Sequence, residues 1–451
     1  VVEEEFALMD LKKVFIFSFV VKLIIGILLP LSPDEAYYWV WGHKLQLSYY
    51  DHPAFVAWLN LIGQPFENFH SGIRIPAMVM SHATIGLWLL LFKNLLPPSH
   101  LLAFLLLMVC LPFTGAGGMI VTPDIPLMFF WALTLLLTQR TTQSGKPTDA
   151  LLAGLALGLG FVSKYTMILI LPVVLYWLFV EKKNIASFFK ILAVGVVGTL
   201  ITSFPVWFWN LTNDLTSVGY QLNHGFSDEF KLKNPIEYAL GQVAFLFPTT
   251  VYFAFKFRKL APSWLTLAAV WPLAFFGFAS FFANSEVNWP IVSHPAVMAM
   301  ALLSAPSNNR LGQMPKWSVW TAGAFAVLVA LVVLEVFFNW IPSDRQEIRT
   351  DVFRKFDNVA VYVKGKDNVY ARSYQMASAV SFRNKEMFYK LRGMNRVDVF
   401  DFWPQSNPVK NEFDVILRKN EKFKKHVRKI YEVLSREGLD DQFDVARVRR
   451  R

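Results

Sequence analysis

The sequence predicts a polytopic α-helical membrane protein followed by a small C-terminal α/β domain, and three observations lead there. The first is composition: 54% of the 451 residues are hydrophobic and 17% are charged, whereas a soluble domain carries about 25% charged residues. The second is recurrence: apolar stretches of roughly 17–25 residues follow one another, each long enough to cross a hydrocarbon core ~30 Å thick. The third is a change of character after residue 340, where the long apolar runs give way to short ones (VAVYV, NVYARSY, FDVILR, KIYEVL, FDVARV) separated by helix-like and turn-like pieces such as SYQMASAVSF and FWPQSNP. Two domains are therefore expected, a transmembrane core over 1–340 and a soluble α/β domain over 341–451.

Taken in order, the apolar runs lie near 14–31, 75–92, 101–113, 126–139, 150–163, 166–180, 187–208, 239–255, 263–282, 290–304 and 317–340, which makes about eleven transmembrane helices. The first follows Lys12 and Lys13 without a small-residue cleavage pattern and reads as a retained signal-anchor. Small residues at helical spacing in LLAGLALGLG, 151–160, read as helix packing and not as a nucleotide loop. The single cysteine, Cys110, sits inside an apolar run and allows no intrachain disulfide. Short connections alternate in charge. Lys12 and Lys13, Lys93, Arg140 and Lys146, Lys182 and Lys183, Lys256 to Lys259, and Arg310 with Lys316 share one side, which the positive-inside rule makes cytoplasmic. An odd helix number then places the N-terminus in the cytoplasm and the tail outside. The tail holds 25 Lys and Arg against 16 Asp and Glu. That excess suits an anionic lipid surface or simply a solvated one, since long domains translocate regardless of charge. No nucleic-acid motif accompanies it.

On this topology the polar residues gather at the outer face. The stretch from Ser32 to Pro53, SPDEAYYWVWGHKLQLSYYDHP, supplies Asp34, Glu35, Asp51 and His52 around Tyr37, Tyr38, Trp39 and Trp41. Arg74 opens the second long run, Asp124 precedes the fourth, and Lys164 joins the fifth to the sixth. Asn210, Asn213, Asp214 and His224 lie in the 209–238 connection, and Asn284, Glu286 and Asn288 in the next. Ionisable groups at a membrane are costly, so clustering on one side points to function. Each has a structural alternative. Asp34 and Glu35 or Asp124 can cap helices, Arg74 and Lys164 can snorkel, His224 can be structural, and the aromatics can form an interfacial belt or a sugar-stacking platform. A carboxylate base beside cations suits transfer from a lipid-phosphate donor. The cations hold the phosphate, and the carboxylate takes the proton of an acceptor hydroxyl. A transporter would instead place charges mid-helix, between interrupted helices.

The ordered landmarks PDEAYYW at 33–39, YYDHP at 49–53, GIRIP at 72–76, TPDIPLMFFWAL at 122–133, GLALGLGFVSKYTMILILP at 154–172, FPVWFWN at 204–210 and EVNWP at 286–290 resemble the GT-C glycosyltransferase superfamily. The branch concerned contains the aminoarabinose transferases that modify lipid A, the protein O-mannosyltransferases and the RgtA-type galacturonosyltransferases. ARSYQMASAVSF, in the tail, resembles a segment these proteins keep after the last helix. The resemblance implies a GT-C fold and inverting transfer of a sugar from a polyprenyl (undecaprenyl) phosphate donor to a cell-envelope acceptor at the periplasmic face. The implied acceptor is lipid A or a related glycolipid, with a protein acceptor or a non-enzymatic lipid-linked sugar flippase as the competing readings. It implies Asp34 and Glu35 as the catalytic acids, and Arg74, Lys164, His52 and Asp124 as donor or phosphate ligands. Tyr37, Tyr38 and Trp39 would form the acceptor surface, and Asp51 with His224 would hold a divalent metal ion. His52 stands where aminoarabinose transferases have lysine, which makes it a weaker anion ligand.

Overall fold

The computed structural model describes residues 2–181, 185–226, 230–303, 314–341 and 350–451. Lys182, Lys183 and Arg310, used above for topology, lie outside them. The membrane part runs through α1 (Val2–Leu28), α2 (Pro33–His43), α3 (Phe55–Gly63), α4 (Ile75–Phe92), α5 (Pro98–Cys110), α6 (Asp124–Ser144), α7 (Pro147–Ser163), α8 (Leu171–Glu181) and α9 (Ile185–Thr212). It continues through α10 (Thr216–Phe226), α11 (Lys233–Leu246), α12 (Pro248–Phe257), α13 (Ser263–Ala279), α14 (His294–Leu302) and α15 (Lys316–Phe338).

Over the described residues all eleven apolar runs are largely helical, but they are not eleven uninterrupted spans. Among the described residues three helices are long and apolar enough to cross a membrane, and six if each bent pair counts as one span. The run at 239–255 breaks between α11 and α12 with a 90° bend. Phe247 adopts a positive φ of 67° there, and Pro248, which cannot donate into the preceding turn, opens α12. A similar bend of 88° separates α1 from α2, so α2, expected as part of a loop, is a helix lying across the end of the first span. The small-residue stripe does pack: a Cβ on Gly154 would collide with the carbonyl of Gly195, and Thr199 Oγ1 donates to the Gly154 carbonyl at 3.2 Å. Close backbone approach of α7 and α9 explains those residues.

The tail holds α16 (Asp357–Val363), β1 (Val369–Ala371), α17 (Tyr374–Asn384), β2 (Glu412–Arg418), α18 (Lys425–Arg428), β3 (Tyr431–Gly438) and β4 (Phe443–Arg450). Among the described residues four strands lie in the order β1-β2-β4-β3, with β1 parallel to β2 and the other pairs antiparallel. The segment VAVYV, expected as a strand from its alternation, is α16. Val359, Ala360 and Val363 are buried while Val361 is 79% exposed, a helical spacing in place of a two-residue one.

One hydrophobic cluster crosses from the membrane part to the tail. Tyr37, Trp39 and Trp41 of α2 pack with Tyr374, Met376, Ala377 and Val380 of α17 and with Phe400 and Trp403. The tail thus covers Trp39, and the α2 aromatics form no exposed interfacial belt, while Tyr37 and Tyr38 also line a cavity.

Candidate active site

The geometry starts at the cap of α2. Ser32 Oγ accepts from Glu35 N while Glu35 Oε2 accepts from Ser32 N at 3.0 Å, a capping box. This turns Glu35 inward, where Arg74 donates to Oε1 through Nε and to Oε2 through Nη2, both at 2.6 Å, and Val121 N donates to Oε1 at 2.9 Å. Arg74 also donates to the carbonyls of Gly26, Leu29 and Pro30. Both side chains are 1% exposed. The structure therefore corrects the placement of Glu35 and Arg74: each is consumed by a bidentate, fully bonded pair that ties α1, α2 and α4 together, and neither reaches the cavity. Trp39 is also turned away, donating to Glu67 at 2.6 Å and packing edge-on against Phe382.

Asp34 precedes Glu35 by one residue, about 100° around the helix, and opens onto a cavity of about 540 Å³. Tyr374 Oη donates to its Oδ1 at 3.1 Å. Removal of water by the surrounding protein raises the Asp34 pKa above the ordinary carboxylate value; the Tyr374 hydrogen bond and Arg396 oppose the rise, and Glu286 and Glu35 add to it.

A tight turn closed by the Ser48–Pro53 bridge carries Asp51 and His52 to the same cavity. Asp51 Oδ2 accepts from Tyr37 Oη and Oδ1 from Arg396 Nη1, both at 2.6 Å, and Gln221 of α10 donates to the Asp51 carbonyl at 2.5 Å. The Arg396 guanidinium lies 4.4 Å from the ring centroid of Tyr374. On another wall Lys164, at the end of α7, donates to Asp124 Oδ1 at 2.6 Å, and Asn288 donates to Oδ2 at 2.9 Å. Asp124 is the first residue of α6, and the cap position before it is Pro123, which has no side-chain cap bond to give. Phe161, Trp207, Phe276 and Trp289 give the cavity an apolar side.

The structure thus brings together Asp34, Tyr37, Tyr38, Asp51, His52, Asp124 and Lys164 and leaves out Glu35, Arg74 and Trp39. The side chain of His224 lies outside the described residues. The expected metal centre is not supported: both Asp51 oxygens are engaged by Arg396 and Tyr37, and among the described residues no three of His, Cys, Asp and Glu gather as metal ligands. Sequence reasoning missed Tyr374 and Arg396. Tyr374 lies inside ARSYQMASAVSF and was within reach; Arg396 stands in a tail loop with no local pattern to single it out.

The family described as dolichyl-phosphate-mannose-protein mannosyltransferase matches residues 51–209. The lipid A galacturonosyltransferase RgtD of Rhizobium johnstonii is 25% identical over 304 residues, 60% of this chain and 59% of that protein. The undecaprenyl phosphate-alpha-4-amino-4-deoxy-L-arabinose arabinosyl transferase of Yersinia enterocolitica is 25% identical over 381 residues, 74% of this chain and 67% of that protein. The chain therefore spans about three fifths of RgtD. The fold matches ArnT of Cupriavidus metallidurans, with a TM-score of 0.62 to the structure bound to undecaprenyl phosphate and 0.64 to the apo structure. Identity is 14% in both cases, over 96% of this chain and 97% of that one. With its helical membrane core and small terminal sheet the chain thus shares the fold of ArnT, and its sequence is similar to those of RgtD and of the Yersinia arabinosyl transferase.

Proposed function

We propose that this protein is an inverting membrane glycosyltransferase that moves a sugar from a polyprenyl-phosphate donor to lipid A or a related envelope glycolipid. One observation carries the reading. A single cavity is lined by a carboxylate, Asp34, that accepts from the Tyr374 hydroxyl, and by two cations, Lys164 and Arg396, each held by its own aspartate. The names of the relatives support the donor and acceptor classes.

In the proposed reaction Asp34 accepts the proton of an acceptor hydroxyl as that oxygen forms its bond to the anomeric carbon. The bond from that carbon to the phosphate oxygen breaks on the opposite face, and its electron pair leaves with polyprenyl phosphate. Lys164 and Arg396 stabilise the charge that builds on the departing phosphate. Arg396 supplies a permanent cation near the position where His52 is a weak anion ligand. Asp124 and Asp51 hold the two cations in place, and Tyr37 fixes Asp51. The apolar side of the cavity suits the first units of the lipid chain, and Tyr37 and Tyr38 border the acceptor space.

The proposal includes the division near residue 340, with the tail serving as a lid that completes the site, and the orientation read from loop charges: N-terminus cytoplasmic, tail periplasmic, in a bacterial inner membrane. The test is mass spectrometry of envelope glycolipids and proteins from cells with and without the gene. A discrete sugar mass on a glycolipid supports the proposal and names the sugar. The same mass on a protein moves the acceptor class, and an unaltered envelope with altered lipid-linked sugar distribution favours a flippase.

A further inference from the structure

One lysine that does not line the cavity is sealed inside the tail. The side chain of Lys390 is 0% exposed, a costly place for an ammonium group unless each of its protons finds an acceptor. All of them do. Lys390 Nζ donates to Asp398 Oδ2 at 2.6 Å, to Asp401 Oδ2 at 2.5 Å and to the backbone carbonyl of Arg396 at 2.8 Å. The other oxygen of each carboxylate is used as well: Phe400 N donates to Asp398 Oδ1 at 3.0 Å, and Gly393 N donates to Asp401 Oδ1 at 2.7 Å. The 393–401 loop passes through positive φ at Gly393 and Asn395 and reaches regular structure only in the short turn Val399–Phe402. It is wrapped around one cation.

The cation is tied to the sheet and the loop is tied to the site. Lys390 bridges Ala371, the last residue of β1; Leu391 N donates to the Ala371 carbonyl and Ala371 N to the Tyr389 carbonyl, both at 2.9 Å. At the other end Arg396 donates to Asp51 Oδ1 at 2.6 Å, and Val399 N donates at 2.9 Å to Tyr37 Oη, the hydroxyl that itself donates to Asp51 Oδ2. The loop thus meets Asp51 twice, once directly and once through Tyr37. A guanidinium on a long stem keeps one direction only at a cost in rotamer freedom, and that cost is smaller when its backbone is fixed. We infer that Lys390 is a positioning residue for transfer: it acts through Arg396, holding the 393–401 loop in the conformation that brings that guanidinium to Asp51 and the cavity. The role in transfer rests on the reading above. Lys424 also reaches the loop, donating to the Asn395 carbonyl at 3.1 Å, but that bond is exposed and exchanges with water at little cost.

The experiment uses the full chain in detergent and follows Arg396 directly, by the rate at which phenylglyoxal, an arginine-selective dicarbonyl, modifies it, read by mass spectrometry of the peptide. Arg449, on β4 and paired with Glu412, gives the control rate for an intact sheet. Lys390→Met keeps most of the stem and removes the donors. The expected result is faster labelling of Arg396, an unchanged rate at Arg449, and kcat lower by up to roughly 10²-fold, the scale of a misplaced group. A double-mutant cycle with Arg396→Gln isolates the route. In that background Lys390→Met should lower kcat by less than about twofold, whereas a merely structural role would cost the same in both backgrounds. Lys424→Gln should change neither labelling nor kcat. Should Lys390→Met fail to fold with two carboxylates left facing each other, the neutral triple variant Lys390→Met, Asp398→Asn, Asp401→Asn is measured in the same way with the same expectations. Unchanged Arg396 labelling in a folded variant, an additive cycle, or an equal effect from Lys424→Gln overturns the proposal. If labelling shifts as expected but wild type transfers no sugar, the positioning of Arg396 stands and the transferase reading fails.

Discussion

Two acid–base clusters flank α2, one sealed and one open, and they use the same residue types to different ends. In the sealed cluster Glu35 and Arg74 are each 1% exposed and every carboxylate oxygen has two donors. In the open cluster Asp51–Arg396 and Asp124–Lys164 place charged groups along a cavity wall, and Asp34 faces the space between them. The sealed pair leaves no lone pair for a substrate; it sets the angle between α1, α2 and α4. The open pairs hold their cations while leaving them within reach of a ligand. Exposure of a charged group to a cavity, and not its presence near a membrane surface, separates chemistry from bracing.

The sharpest way to break this contrast is Arg74→Ala, which strands Glu35 as a buried unpaired charge. Loss of one partner of such a pair costs about 3–5 kcal/mol, so the expected result is a large fall in melting temperature in detergent. A Glu35→Gln, Arg74→Met double variant should recover much of it. If Arg74→Ala folds normally and loses only donor affinity, Arg74 belongs to the open cluster after all. Next in size, Arg396→Gln and Lys164→Gln should each lower kcat by roughly 10²-fold, the scale of one lost charge-stabilising donor, with the melting temperature changed far less than in Arg74→Ala. Steady-state kinetics beside thermal unfolding measure both.

The smallest expected effect is a pH shift in Tyr374→Phe. Burial raises the Asp34 pKa, and the Tyr374 hydroxyl opposes that rise by donating to the carboxylate. A general base works only when deprotonated, so kcat/KM should be flat at high pH and fall as pH drops through the raised pKa. Removing the hydroxyl removes a group that favours the charged form, so the acid limb should move to higher pH. A limb that stays in place, or moves down, would separate Tyr374 from Asp34 during the reaction.

The helical content was legible because an apolar run long enough to cross a membrane has few other ways to satisfy its backbone. The bends were not: the break at Phe247 depends on one positive φ beside a proline. Asp34, Asp51, Asp124 and Lys164, which line one cavity, were legible as candidates because their types and ordered motifs marked them. Glu35 and Arg74 looked equivalent to them, since a pairing across 39 positions leaves no local signature. Trp39 was misplaced for a related reason. The face that covers it comes from α17, more than three hundred residues away in sequence, and no periodicity within α2 reports that contact. Arg396 shows the same limit in reverse, a tail residue that reaches Asp51 across 345 positions.

The central claim is that Asp34 alone of the adjacent acids takes the acceptor proton. Asp34→Asn, nearly isosteric, tests it in a single-turnover experiment with donor bound in excess of its dissociation constant and donor affinity measured on the same sample. The expected result is wild-type melting temperature, donor affinity within about twofold, and transfer slowed by roughly 10²–10⁴-fold, the usual contribution of a general base. Transfer at the wild-type rate by a folded, donor-binding Asp34→Asn protein would contradict the account.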